Sequence, residues 1–406
     1  MKIYVIKNKV LFGNIIFLLS FVCLYGGGYL DNYGYVLLMI YIIYSFMIFP
    51  QITASVFFSR LMLPLYLFLI YYLLSSNLNF KIVLSLFGKL SVIPLAILHF
   101  KLLSKYPFLD STYKRLMILI IIVIGYFCVR ALLLLAVNPL AMRELISTNK
   151  DESIIVGGGF GLPYSLSLLL PALLPIIKDK GIKALESTFF RLFSILGILV
   201  IFMTQYMTAL IILLVGYFFV LISKYKTSKQ ILVVTIFIAL FFNLYIFLPD
   251  ILNFLGLEEY EVLYRRMNEV VSLVSGNNQE ASDFSIRMNL SLSSLETFSK
   301  NILLGIGYKY EYSFFKMQSN GVGMHAEWFD LLAIYGLFVL LLFHYFINAV
   351  NLYIGKSTSI MMFILLGFLN PILSYQILFV VFYLIPLLGV INSKDAYETQ
   401  RYRFPN

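Results

Sequence analysis

Apolar runs of helix length, separated by short polar stretches, make up most of the chain. The first extends from Val10 to about Leu30, behind Lys2, Lys7 and Lys9. Eleven more follow near 33–50, 61–79, 82–100, 116–137, 160–177, 189–203, 206–222, 231–248, 329–350, 358–373 and 375–391. Runs of about 20 apolar residues predict membrane-spanning helices. The first run is longer than a signal-peptide core and no small-residue cleavage pattern follows it, so it is expected to stay as the first helix. The pattern predicts an all-α polytopic membrane protein with about 12 transmembrane helices. Residues 1–248 would hold nine of them, 249–328 a large extracytoplasmic loop, and 329–406 the last three spans and a cytoplasmic tail. Within the loop, Leu263, Met267, Val270, Val271 and Val274 recur at helical spacing. They predict a short amphipathic helix against the bundle or the membrane surface.

Composition narrows the class. Of 406 residues, 61% are hydrophobic and only 12% charged, against about 25% charged in a soluble domain. That excludes a soluble enzyme, a disordered chain and a disulfide scaffold. Cys23 and Cys128 both lie in apolar runs and read as core residues. The net charge of +10 would raise nucleic-acid binding in a soluble protein. Here cytoplasmic loops rich in Lys and Arg account for it, and no nucleic-acid partner is expected. With both termini inside, 19 of the 30 cations fall on inside segments, which favours that orientation.

Several chemistries have no signature. The chain has no GxxxxGK[ST] loop, no HExxH and no paired CxxC, and His99, His325 and His344 are scattered. Glu259 and Glu261 have the spacing of a metal–nucleotide carboxylate pair but belong to an acidic, solvated helix face. No metal and no cofactor is expected. Charges inside spans are functional candidates instead. Lys89 and Arg130 each lie seven residues from the outer end of a span, roughly 10 Å deep. A cavity lined by such cations suits an anionic head group such as a pyrophosphate. Each also has a bland reading, a long side chain reaching for the interface. The loop adds Arg265, Arg266, Arg287, Lys300, Lys309 and Lys316. His325 stands at the end of the loop beside Glu327, Trp328 and Asp330. It is either a boundary residue or an imidazole that carboxylates orient to take a proton.

These residues carry a resemblance. Arg287, then Asn301-Ile-Leu-Leu-Gly305-Ile-Gly307, then His325-Ala-Glu-Trp-Phe-Asp-Leu-Leu-Ala-Ile-Tyr-Gly336, resembles the Wzy-type O-antigen and capsular polysaccharide polymerases, which share a superfamily with the O-antigen ligases. The segment 157–171 looks familial too. Three departures stand out: Ala326 where ligases carry a polar residue, Ile302 in place of a proline, and Met207 where an S-R-T-like element has its arginine beside Thr208.

The resemblance implies a glycosyltransferase at the outer face of the bacterial cytoplasmic membrane, its active site facing the periplasm or cell exterior. The donor would be an oligosaccharide on undecaprenyl diphosphate. In a polymerase the acceptor is another lipid-linked repeat unit, and in a ligase it is the lipid A core. The departures favour the polymerase. A flippase and a chain-length regulator of the same pathway are the expected partners, beside the bilayer itself. Arg287 is expected to hold the diphosphate, with Arg130, Arg143 or the Arg265/Arg266 pair supplying the charge missing at Met207. His325 is expected to act as general base or to orient the acceptor, supported by Glu327 or Asp330. A lipid-linked oligosaccharide flippase is the rival from another class. Such transporters place key charges near the bilayer midplane and have little need of a large outer loop.

Overall fold

A computed structural model gives the structure of the protein. It describes residues 2–26, 30–76, 78–138, 141–142, 160–178, 184–222, 282–307, 314–350 and 358–392. The expected span at 231–248, the amphipathic helix at 258–274, and Arg143, Arg265 and Arg266 lie outside the described residues.

Every regular element among the described residues is helical. In chain order they are α1 (Lys2–Gly26), α2 (Leu30–Ile48), α3 (Pro50–Phe57), α4 (Leu63–Ser75), α5 (Phe80–Leu90), α6 (Val92–Lys105), α7 (Asp110–Val137), α8 (Gly161–Lys178), α9 (Ala184–Met203) and α10 (Met207–Ile222). Then come α11 (Ser282–Lys300), α12 (Phe314–Ser319), α13 (Glu327–Tyr335), α14 (Val339–Val350), α15 (Thr358–Leu369), α16 (Tyr375–Phe379) and α17 (Ile385–Asn392).

Five helices are long and apolar enough to cross a membrane: Ile3–Gly26, Leu30–Ile48, Pro107–Val137, Leu185–Met203 and Glu327–Val350. A sixth counts if Phe80–Leu90 and Val92–Lys105, bent by 42° at Ser91, form one broken span. Five shorter apolar helices, Leu63–Ser75, Gly161–Ile177, Met207–Ile222, Thr358–Leu369 and Tyr375–Ile391, stand at other expected positions. Against the twelve spans expected, the described residues therefore hold five or six of full length.

Helix α8 is the hub. It packs against α9, α10, α15, α16 and α17, and its residues from Gly161 through Pro171 are all buried. A helix that is apolar on every side belongs inside a bundle. Close approach is built in: Gly216 of α10 faces Pro171, where a Cβ would come within 2.7 Å of the ring. The last helix is buried as thoroughly, from Tyr375 through Leu384. Its middle, Val380–Leu384, is a π-helical turn.

That turn carries Tyr383 into an aromatic core with Phe17, Tyr41, Tyr113 and Phe379. At its centre sits His99, fully buried. Its Nδ1 bonds the Tyr383 hydroxyl at 2.6 Å and its Nε2 bonds the Tyr41 hydroxyl. An uncharged imidazole suits both, since one nitrogen donates and the other accepts. The histidine thereby ties α2, α6 and the last helix together. His99→Leu takes a hydrogen-bond partner from two buried hydroxyls, at about 1–3 kcal/mol for a group left unsatisfied. It should lower the unfolding temperature of the detergent-solubilised protein more than Tyr383→Phe, which removes only one hydroxyl. Equal melting of both variants and wild type would contradict this role.

Candidate functional site

The motif segments meet through their backbones. The turn at 301–307 lies against the C-terminal end of α13. Ile306 N–H donates to Ala333 O at 3.0 Å and Gly307 N–H to Ile334 O at 2.9 Å, while Leu337 N–H donates back to Ile302 O at 2.9 Å. Two glycines make this approach possible. Gly305 (φ +62) and Gly336 (φ +55) both adopt the left-handed region. A Cβ at Gly336 would fall 2.5 Å from Ile302 O, and one at Gly305 would fall 2.3 Å from Ile334 O. Gly336 ends α13 with φ +55 and ψ −142, a conformation open to glycine and strained for other residues. On the far side, the Tyr71 hydroxyl of α4 donates to Leu304 O and its ring stacks on Phe338 at 3.9 Å. The glycine-rich motif is thus a backbone interlock.

The loop carrying His325 is docked on α11. Ser293 and Thr297 hydroxyls both donate to Gly321 O, at 3.1 and 2.8 Å. Ser294 Oγ accepts from Gly323 N–H at 2.8 Å and donates to Asp330 Oδ1 at 2.6 Å. Asp330 then gathers the turn: Met324 N–H at 3.0 Å on Oδ1, Ala326 N–H at 3.0 Å on Oδ2, and the His325 backbone N–H as well. Reaching back to the N-terminal cap of its own helix resembles a capping box, and it satisfies donors that the first turn leaves open. Gly323 fits because a Cβ there would lie 2.3 Å from Leu290 O.

Arg287 shares this platform. It stands two turns before Ser294 on α11, with Leu290 between them on the same face. That face receives Gly323, and Arg287 is half-buried on it. The fold therefore brings the helix of Arg287 and the loop of His325 together.

Glu327 and Asp330 are occupied by backbone. Glu327 Oε2 accepts from Ile372 N–H at 2.7 Å and Leu373 N–H at 3.2 Å, fastening α13 to the unwound segment between α15 and α16. Trp328 adds a second tie, its indole N–H donating to Ile364 O at 2.8 Å. Both contacts hold the helix; neither involves the imidazole. Lys89 lies half-buried on α5 beside the bend, and its charge is coupled to Asp31 and Glu327.

Arg130 is placed elsewhere. It flanks the exposed stripe Tyr126, Val129, Leu133 and Val137 of α7. That helix packs on α1, α9 and α17, whereas α11 packs on α13. Met207 and Thr208 open α10 just after Gln205, whose φ is +55. Among the described residues no group of three His, Cys, Asp or Glu could hold a metal ion. Sequence reasoning missed Ser294, and with it Asp31, whose charge is coupled to that of Lys89. An acid at the outer end of a span was the one available signal, at Asp31.

Residues 192–344 match the family model described as O-antigen ligase. The match includes α11, the motif turn, the His325 loop and α13. No curated protein matches the chain.

Asp330→Asn converts one carboxylate oxygen into a donor facing the N–H groups it now accepts from. Losing those charge-assisted bonds should cost about 1.5–3 kcal/mol, and Ser294→Ala about 1 kcal/mol. Thermal unfolding of the purified protein tests the order, and Ser294→Ala proving the more damaging would refute the hub role of Asp330.

Proposed function

The chain belongs to the O-antigen ligase/polymerase superfamily, and from that premise we propose that it is a polysaccharide polymerase joining undecaprenyl-diphosphate-linked oligosaccharides at the outer face of the bacterial cytoplasmic membrane. One observation carries the reading: α11 and the loop bound to it bear Arg287 and His325 on one platform, the cation and the proton acceptor that such a transfer needs.

In the proposed reaction an acceptor sugar hydroxyl attacks the anomeric carbon of the donor glycan. A new C–O bond forms there as the bond to the diphosphate oxygen breaks. The electron pair leaves with undecaprenyl diphosphate, and Arg287 offsets the charge that develops. The hydroxyl proton passes to His325. Holding two lipid-anchored substrates side by side contributes through proximity. Asp330 acts through the loop backbone, and Glu327 through the segment 370–374. The donor bond is already activated, so no nucleotide enters the scheme.

Arg287→Ala should lower product formation by about 10²–10³-fold, the loss seen when one donor to a developing anion is removed. Arg287→Lys should restore little, because a point charge does not reproduce the guanidinium fork. Normal product from Arg287→Ala at equal protein level would remove Arg287 from the site.

The matched family's description as ligase favours a second reading, transfer of finished polymer to lipid A core. A gel of surface glycans separates the two. A deletion strain that leaves single repeat units, with wild type restoring a ladder and His325→Ala failing at normal expression, supports the polymerase. Loss of all glycan from the acceptor, with lipid-linked polymer accumulating, supports the ligase.

A further inference from the structure

The turn at 301–307 keeps its carbonyls inside and its apolar side chains outside. Ile302, Leu303 and Leu304 are 49%, 69% and 59% exposed. The carbonyls behind them are all taken by the protein. Leu337 N–H donates to Ile302 O at 2.9 Å and to Leu303 O at 3.2 Å, and the Tyr71 hydroxyl donates to Leu304 O. Asn301 O accepts from Gly305 N–H at 2.8 Å. Water could satisfy such carbonyls if the turn were solvated. Three successive exposed apolar side chains, on carbonyls already paired within the protein, fit a surface that meets hydrocarbon.

The place of the turn in the fold agrees. The helix Glu327–Val350 is long and apolar enough to cross a membrane. The turn bonds to its Ala333, Ile334 and Leu337. These lie six to ten residues inside its end, roughly 9–15 Å along its axis. The surfaces on either side are apolar too. Leu337 and Leu340 are exposed on that helix, and Ile70 and Leu74 are exposed beside Tyr71 on α4. Helices α4 and α14 pack together, so the turn continues one apolar surface. At its other edge the polarity reverses. Ser299, Lys300 and Asn301 are all exposed, and Lys300 pairs with Glu296 at 2.7 Å.

We infer that Ile302, Leu303 and Leu304 insert into the bilayer and meet the acyl chains of the leaflet on the His325 side. The charged rim at 296–301 lies at the headgroups. Insertion is shallow, about 5–10 Å, the depth of apolar faces that lie in the membrane interface. Deeper in the hydrocarbon, irregular backbone does not face lipid. The occupant is lipid because the exposed side chains extend the outer surface of a spanning helix and stop at a charged border. The inference rests on Glu327–Val350 crossing the membrane and is independent of the reaction proposed above. Its consequence is positional. Helix α13 begins at the His325 loop and ends at this turn, so anchoring the turn fixes the height of the loop above the leaflet.

Tryptophan fluorescence of the full-length protein in nanodiscs tests this. The chain has one tryptophan, Trp328, 8% exposed, and its emission in wild type is the background. Leu303→Trp and Leu304→Trp place reporters on the turn. Ile347→Trp, exposed on the same spanning helix, is the lipid reference, and Ser299→Trp is the aqueous one. Lipids brominated on the acyl chain should quench both turn reporters as strongly as Ile347→Trp. Bromines near the headgroup should quench the turn reporters more than bromines near the chain end. Dissolved iodide should quench only Ser299→Trp. Iodide quenching of both turn reporters would overturn the inference by returning the turn to water. Protection of both from bromolipid and iodide alike would overturn it in favour of a protein occupant, such as a second copy of the chain. Iodide quenching of Ile347→Trp would remove the span on which the inference rests. Should one turn variant not fold, the other gives the same readout.

Discussion

Backbone N–H and C=O groups buried away from water must find partners within the protein. Unwound chain next to apolar helices is therefore the most demanding part of this fold. Three such stretches surround α13, and each is satisfied through it. The turn at 301–307 exchanges hydrogen bonds with Ala333, Ile334 and Leu337 at one end of the helix. The loop at 321–326 is gathered by Asp330 and the hydroxyls of α11 near the other end. The segment at 372–373 is held by Glu327. A helix of nine residues thus carries two carboxylates because two stretches of backbone need strong acceptors. His325 and Arg287 gain their positions from that scaffold.

This explains why parts of the site were legible in the sequence and parts were not. Apolar runs marked the helices, because burial in lipid or in a bundle core requires them. They did not mark the breaks. The run at 82–100 is two helices bent at Ser91, and the run at 329–350 contains α13, a 3₁₀ turn at Gly336–Phe338 and α14. Neutral or apolar residues fill both breaks, so hydropathy passes through them unchanged. The motif drew attention to Arg287 and His325 because it is a local string. The work of Glu327 and Asp330 was hidden, since their partners lie in backbone up to 46 residues away or on the facing α11. A serine such as Ser294, or a tyrosine such as Tyr375, reads within an apolar run as one more tolerated residue. What it touches is decided by packing.

The motif glycines show the same limit from the other side. Gly305 and Gly336 were legible as family markers, and a marker beside a histidine invites a catalytic interpretation. Their dihedral angles and the 2.3–2.5 Å that a Cβ would leave to facing carbonyls give a sufficient structural reason for both. Neither glycine needs a catalytic role to account for its place in the motif.

The matched segment and the rest of the chain also divide the chemistry. Residues 192–344 contain Arg287, His325 and α13, so the groups proposed to act on the diphosphate and the proton travel together. Lys89 and Asp31, whose charges are coupled, lie outside that segment. Glu327 joins the two, through its bonds to 372–373 and its charge coupling to Lys89, so the segment that carries the proposed chemistry is fastened to helices outside it.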